Sequence, residues 1–204
     1  MYEKLLQEKN STDIVVYNLR ETGNDFQAAS ELLEKLTHGF DDEGVQWNGT
    51  GYLKDWMDQS SNTGFKNMAK CVQQEYSGFC FPPSSNLHPN CVSGVRTQGE
   101  NIADNGGIKS AFAAYRSRVG PYSQPALPGK MSKYTHDQLF FMSFAQVWCR
   151  TVTHGSLQNQ LLVDPHSPAK FRVQGTIRNF PQFAKAFNCP AYSPSVNGKS
   201  CNVW

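Results

Sequence analysis

Charge is what this sequence has little of. Only 18% of its 204 residues are Asp, Glu, Lys or Arg, and 19 basic against 17 acidic side chains leave a formal net charge of +2. That balance excludes the strong positive field that a nucleic-acid or anionic-membrane surface needs. No run of about 18 apolar residues occurs, so no transmembrane helix is expected. The opening Met1-Tyr2-Glu3-Lys4-Leu5-Leu6 is too polar to read as a secretory signal. Internal repeats, low-complexity tracts and C-x-x-C spacings are absent, and the last absence excludes a zinc knuckle or a dithiol redox pair. What the chain does have is apolar mass: 39% hydrophobic and 12% aromatic residues. This excludes disorder as the main state. A single domain of this length, or one large and one small lobe, buries roughly 70% of the surface its unfolded chain exposes. Six cysteines, Cys71, Cys80, Cys91, Cys149, Cys189 and Cys201, point to disulfides and an oxidising compartment. Asn10-Ser11-Thr12 and Asn48-Gly49-Thr50 are glycosylation sequons. Cysteines that say "secreted" beside an N-terminus without a signal read as a chain that has lost its beginning.

The coarse pattern predicts a mainly α protein with long loops. Residues 13–19 are a candidate short strand. Phe26, Ala29, Leu33, Leu36 and Phe40 recur at helical spacing and predict an amphipathic helix ending near Gly39. Residues 41–65 read as loop with short helical pieces, and a helix is expected over about Phe65–Glu75. A Pro/Ser/Asn loop spans 79–98 between Cys80 and Cys91. The helix expected over Ile102–Arg116 is interrupted at Asn105-Gly106-Gly107. Thr135 with Gln138 three residues later is a capping box. The segment behind it, Gln138–Cys149, is apolar almost all round and predicts the buried central helix, with Phe140, Phe141, Phe144 and Trp148 deepest. Residues 151–176 read as loop, and a last helix covers about Pro181–Phe187.

Two places carry candidate chemistry. Glu100 and Asp104 stand at i and i+4 on one helical face, where like charges repel, so a partner is expected. A solvated acidic face is the plain reading, and a metal-ligating Glu100 backed by Asp104 the sharper one. His38 ends the first helix one turn after Glu34 and is followed by the acids Asp41 and Asp42.

These segments resemble the neprilysin family of zinc metallopeptidases. The resemblance rests on Gly99-Glu100-Asn101-Ile102-Ala103-Asp104-Asn105-Gly106-Gly107, on Leu36-Thr37-His38-Gly39-Phe40-Asp41-Asp42, and on Gln138-Leu139-Phe140-Phe141 with Phe144-Ala145-Gln146-Val147-Trp148-Cys149. Asp164-Pro165-His166-Ser167-Pro168, Phe171-Arg172-Val173 and the closing Cys201-Asn202-Val203-Trp204 fit too. Order and spacing agree over about residues 36–204, which divides the chain into a non-family segment, 1–33, and a peptidase-like domain, 34–204. The resemblance implies a thermolysin-like (gluzincin) helical catalytic lobe, peptide substrates and a zinc ion held by the two histidines of H-E-x-x-H and a later glutamate. By resemblance, His38 is the second histidine ligand, Glu100 the late ligand, and Asp104 the acid that orients the histidine. His166 and Arg172 match the residues that steady the oxyanion and grip the substrate backbone. It also implies a Cys71–Cys201 bridge, partners for Cys149 and Cys189 in a larger N-terminal lobe, and an extracellular or membrane-anchored ectodomain. Cys80 and Cys91 are placed to close on each other.

One departure bears on function. Where H-E-x-x-H belongs, the sequence reads Glu34-Lys35-Leu36-Thr37-His38. Glu34 takes the place of the first histidine and Lys35 that of the general base. A lysine ammonium has no lone pair with which to accept a proton, and it repels a cation. The expectation is a peptidase-family domain with weak or absent zinc binding and no turnover. The alternative is a secreted, non-catalytic peptide-binding module of the same fold. A working Glu34/His38/Glu100 zinc site would need Asp41, Asp42 or His166 as substitute base. A solvent-facing Glu34 is the plainer reading.

Overall fold

Caps and prolines punctuate this chain into helices. The structure is a computed structural model that describes residues 37–119, 125–190, 193 and 200–203. Within them lie α1 (Gln59–Ser77), α2 (Gln98–Val119), α3 (His136–Val147), α4 (His154–Val163), α5 (Ala169–Arg178) and α6 (Pro181–Ala186). Single 3₁₀ turns occur at His38–Phe40, Gly44–Gln46, Pro83–Ser85 and Gly129–Lys133. The described residues form no strand; they make two isolated antiparallel bridges, Trp47 with Leu53 and Cys80 with Cys91. The mainly α class with long loops holds. The candidate strand at 13–19, the body of the helix from Asp25, Glu34, Lys35 and the Asn10 sequon lie outside the described residues.

Each helix starts for a local reason. Asp58 caps α1 by accepting from the Ser61 backbone N–H at 2.9 Å. Thr135 and Gln138 cap α3 reciprocally, side chain to backbone in both directions. Thr153 caps α4 through the Ser156 N–H. Pro168 precedes α5 and Pro181 opens α6, where a missing N–H costs nothing.

Four expectations are corrected. The helix around Phe65–Glu75 extends over Gln59–Ser77, because the Asp58 cap sits well before the first apolar residue. Asn105-Gly106-Gly107 does not interrupt α2. Each glycine costs about 1 kcal/mol against alanine in a helix, yet Asn101 to Ile108 is buried on every residue, and Ile102, Ala103, Ile108, Ala111 and Phe112 pack into the interior. Burial at about 0.8 kcal/mol per methylene outweighs propensity. The stretch 151–176 contains α4 and most of α5 rather than one loop; its prolines end one helix and start the next. The central helix runs His136–Val147, with Phe140, Phe141 and Phe144 buried, but Trp148 follows its end and is half-buried.

Helix α2 is the spine, packed against α1, α5 and the His38–Phe40 turn, while α6 packs on α3 and α5. One apolar cluster joins Val72 and Tyr76 of α1 to Phe79, Ile102, Leu161, Phe171, Cys201 and Val203. A second joins Ile108 and Phe112 of α2 to Phe140, Phe141 and Phe144 of α3, Val173 and Ile177 of α5, and Phe183 of α6. Tyr76 is fully buried against Gly175 of α5: a Cβ there would lie 2.3 Å from the ring. Glycine is therefore required for the approach of α1 and α5.

The C-terminal residues are tied down twice. Cys71 of α1 is disulfide-bonded to Cys201, 130 residues away. A loop of that length stabilises by roughly 4–5 kcal/mol in the chain-entropy account. Beside it, the Asn179 side chain accepts from the Cys201 N–H at 2.7 Å and donates to Glu75 at 2.6 Å. Arg178 lies at ion-pair distance from Glu75, 3.2 Å, without hydrogen-bond alignment. Burial pushes the Glu75 carboxyl up, against the Asn179 hydrogen bond and the Arg178 charge, which pull it down. Cys80 is bridged to Cys91; Cys189 is a half-buried thiol, and the half-buried Cys149 thiol donates to the Ala145 carbonyl at 3.7 Å.

Candidate active site

The first turn of α2, the N-terminal part of α5, the segment before α5 and the turn at His38 bring their polar residues to one place. Glu100 sits in the opening turn of α2, where the helix dipole favours an acid. Its Oε1 lies 3.7 Å from His38 Nε2, and its Oε2 lies 3.3 Å from His166 Nε2 and 3.4 Å from an Arg172 terminal nitrogen. One glutamate thus touches three of the residues singled out from the sequence.

Asp104, one turn on, is buried and takes the Arg172 guanidinium with both oxygens, at 2.6 and 2.7 Å. This is the fork-to-fork geometry that only arginine offers a carboxylate. A face of the guanidinium lies over the Trp148 ring, 3.9 Å from its centre. The i, i+4 acids therefore have their partner, a cation delivered by α5. Tyr76 lies beneath them. Burial, followed by the Asp104 charge, pushes its hydroxyl well above the ordinary phenol range, so it stays neutral and accepts from Asn105 at 3.2 Å.

Each histidine is clamped by its neighbours. His38 Nδ1 lies 2.6 Å from Asp41 Oδ2, while Asp41 Oδ1 accepts from the Glu43 and Gly44 backbone N–H groups. His166 Nδ1 lies 2.8 Å from Asp164 Oδ1, which also accepts from the His166 N–H. Burial raises the Asp164 carboxyl, but these bonds and the His166 charge outweigh it and hold the group below the usual carboxylate range. In both cases the carboxylate on Nδ1 turns Nε2 towards Glu100. Gly99 makes the meeting possible, because a Cβ there would lie 2.7 Å from Asp42 Oδ1 and 3.3 Å from Asp41 Oδ2.

Three contributors were not assigned these roles from the sequence. Beyond its place among the substitute bases, Asp41 is a turn acid three residues after a histidine, which is a recognisable signal for this clamp. Asp164 lies two residues before His166, a spacing that allows this clamp. Trp148 under Arg172 had no sequence signal, being contact between α5 and the end of α3.

The family model for peptidase family M13 matches residues 27–203. The chain belongs to peptidase family M13. Among curated M13-like relatives, Neprilysin-1 of Caenorhabditis elegans is 43% identical over 171 residues, 83% of this chain and 22% of that protein. Neprilysin of Oryctolagus cuniculus is 42% identical over 171 residues, covering 83% and 22%. Endothelin-converting enzyme 1 of Homo sapiens is 42% identical over 174 residues, covering 83% and 21%. The chain spans about a fifth of the length of these relatives. Among solved structures, the inhibitor complex of Mycobacterium tuberculosis zinc metalloprotease ZMP1 superposes with a TM-score of 0.74 at 31% identity, covering 86% of this chain and 26% of that one. A Haemonchus galactose-containing glycoprotein complex gives 0.73 at 38% identity, covering 84% and 28%. The matched residues are thus a neprilysin-like segment of the M13 family.

M13 membership implies zinc, and the residues in place can be tested against it. His38 Nε2 and Glu100 Oε1 are spaced about as two ligands of one tetrahedral zinc, whose bonds of about 2.0–2.2 Å put ligand atoms roughly 3.4 Å apart. Two donors do not make a zinc site, which takes at least three from the protein. Among the described residues no group of three or more His, Cys, Asp or Glu side chains could hold a metal ion. The described residues alone therefore do not fit a complete site.

Proposed function

We propose that this M13 segment grips peptide backbone without hydrolysing it. The observation that carries the reading is Glu34-Lys35 standing before Leu36-Thr37-His38 where the family resemblance calls for His-Glu. General-base catalysis contributes about 10²–10⁴-fold, and an ammonium at the base position cannot supply it. Zinc affinity falls with it: Glu34 is a weaker substitute for imidazole in a neprilysin-like site, and Lys35 adds a positive charge beside the metal position.

The gripping side is carried by this chain's own residues. Arg172, fixed by Asp104 and Trp148, is a preorganised donor for a substrate carbonyl. His166, clamped by Asp164, brings a ring nitrogen to the same side of Glu100. The ligand class is oligopeptides, and the two disulfides support a working compartment outside the reducing cytosol. Among the described residues no helix is long and apolar enough to cross a membrane.

A second reading, a metal-free interaction module of the same fold, is favoured by the aromatic edge of Trp47, Tyr52 and Trp56, all exposed. One assay separates the readings. The unmodified chain is incubated with zinc and oligopeptides, with and without a chelator. No turnover, but peptide binding that weakens in Arg172→Lys, is the expected result. Chelator-sensitive hydrolysis abolished by Glu100→Ala overturns the inactive reading. Peptide binding indifferent to Arg172→Lys favours the interaction module.

A further inference from the structure

We propose that Asn48 is a glycan acceptor whose sugar covers the aromatic edge beside it. The proposal is independent of whether the peptidase site turns over. Asn48-Gly49-Thr50 meets the acceptor rule, and the fold presents it in a way that tolerates the product. It occupies a tight turn closed by the Trp47–Leu53 bridge, with the Asn48 N–H donating to Tyr52 O at 2.9 Å and the Gly51 N–H to Asn48 O at 2.8 Å. Every bond made by the Asn48 carboxamide goes to its oxygen: from the Thr50 N–H at 3.0 Å, the Thr50 hydroxyl at 2.8 Å and the Tyr52 N–H at 3.0 Å. The nitrogen that would carry the sugar makes no hydrogen bond, so substituting it leaves the turn intact.

Space and chemistry agree. Gly49 and Thr50 are exposed, and a Cβ built on Gly49 or Gly51 meets no atom within 4 Å. Trp47, 52% exposed, and Tyr52, 71% exposed, flank the acceptor with aromatic faces on which the apolar face of a sugar can stack. Cys71–Cys201 and Cys80–Cys91 belong to the oxidising compartment in which such transfer occurs. The donor class is a lipid-diphosphate-linked oligosaccharide. The carboxamide nitrogen forms a bond to sugar C1 and loses one proton, while the C1–oxygen bond to the diphosphate breaks and releases the lipid diphosphate.

The test expresses the full chain behind a cleavable leader in insect cells and maps peptides from both secreted and retained material. The expected result is a glycopeptide spanning Asn48, a gel shift removed by an amidase specific for asparagine-linked glycans, loss of that shift in Asn48→Gln and Thr50→Ala, and its retention in Thr50→Ser. Asn10→Gln controls for the other sequon. An unmodified Asn48 in chains whose Cys71–Cys201 bridge has formed overturns the proposal, as does a shift lost only in Asn10→Gln. Should Asn48→Gln fail to fold, the wild-type peptide map and Thr50→Ser still decide. Enzymatic removal of the glycan from the native chain should raise binding of a hydrophobic dye severalfold. Unchanged dye binding would overturn the covering role.

Discussion

The two sides of the candidate site are built on different terms. On the α2–α5 side, Glu100, Asp104, His166 and Arg172 come from packed helices or a clamped segment, and the Asp104–Arg172 pair is buried. On the His38 side, the histidine sits in a three-residue 3₁₀ turn held by Asp41, and Glu34 and Lys35 stand four and three residues before it in the sequence. The proposed grip rests on long-range pairs that the core enforces. The hydrolytic half depends on which side chains occupy two sequence positions. The packing that makes the first does not require particular residues at positions 34 and 35.

The largest effect that would break this comparison is removal of one buried ion partner. Arg172→Ala removes both hydrogen bonds that the buried Asp104 takes from the guanidinium, and should cost about 3–5 kcal/mol in chemical denaturation. A loss under about 1 kcal/mol would mean the grip is not core-enforced. Next is the chemical half. Glu34→His with Lys35→Glu restores H-E-x-x-H, and by equilibrium dialysis zinc should bind well over about 100-fold tighter than to the unmodified chain, since even an outer-sphere change is worth about 10–100-fold. If that variant binds zinc and also hydrolyses peptides, the two sides differ by those positions alone.

A smaller effect tests the scaffold beneath both. Gly175→Ala drives a methyl into the Tyr76 ring and should cost about 1–3 kcal/mol, while Gly155→Ala, in open space, should not. Smallest are the titrations. The Asp164 carboxyl is held below its ordinary value, so its contribution is present above the unfolded value near 3.8 and lost as pH falls through the folded one; Asp164→Asn should flatten that acid limb. Glu75 has the opposite sign. Its folded value is raised above 4.5, so the fold loses stability as pH rises from there through the folded value, and Glu75→Gln should remove that slope.

Much of the family signal was legible because it is written in short motifs. Glu100-x-x-x-Asp104, His38 with its following acids, and Asp164-Pro165-His166 each sit in one turn of chain, so each motif is complete in a local run of sequence even though the partners of Glu100 and Asp104 come from distant segments. The capping box at Thr135 and Gln138 was legible for the same reason. The continuity of α2 through Gly106-Gly107 was not, since local propensity argues for a break and only burial on all sides overrules it.

Sequence alone determined the residues available for chemistry: a lysine at position 35 and a glutamate at position 34 are covalent facts that no packing can change. Tertiary structure decided who meets whom. It delivered Arg172 to Asp104 across 68 residues, laid Trp148 under the guanidinium, and drew Cys201 back to Cys71 across 130. Such contacts depend on the relative placement of α2, α3 and α5, set by the fit of buried apolar side chains, and that fit has no counterpart in any local run of residues.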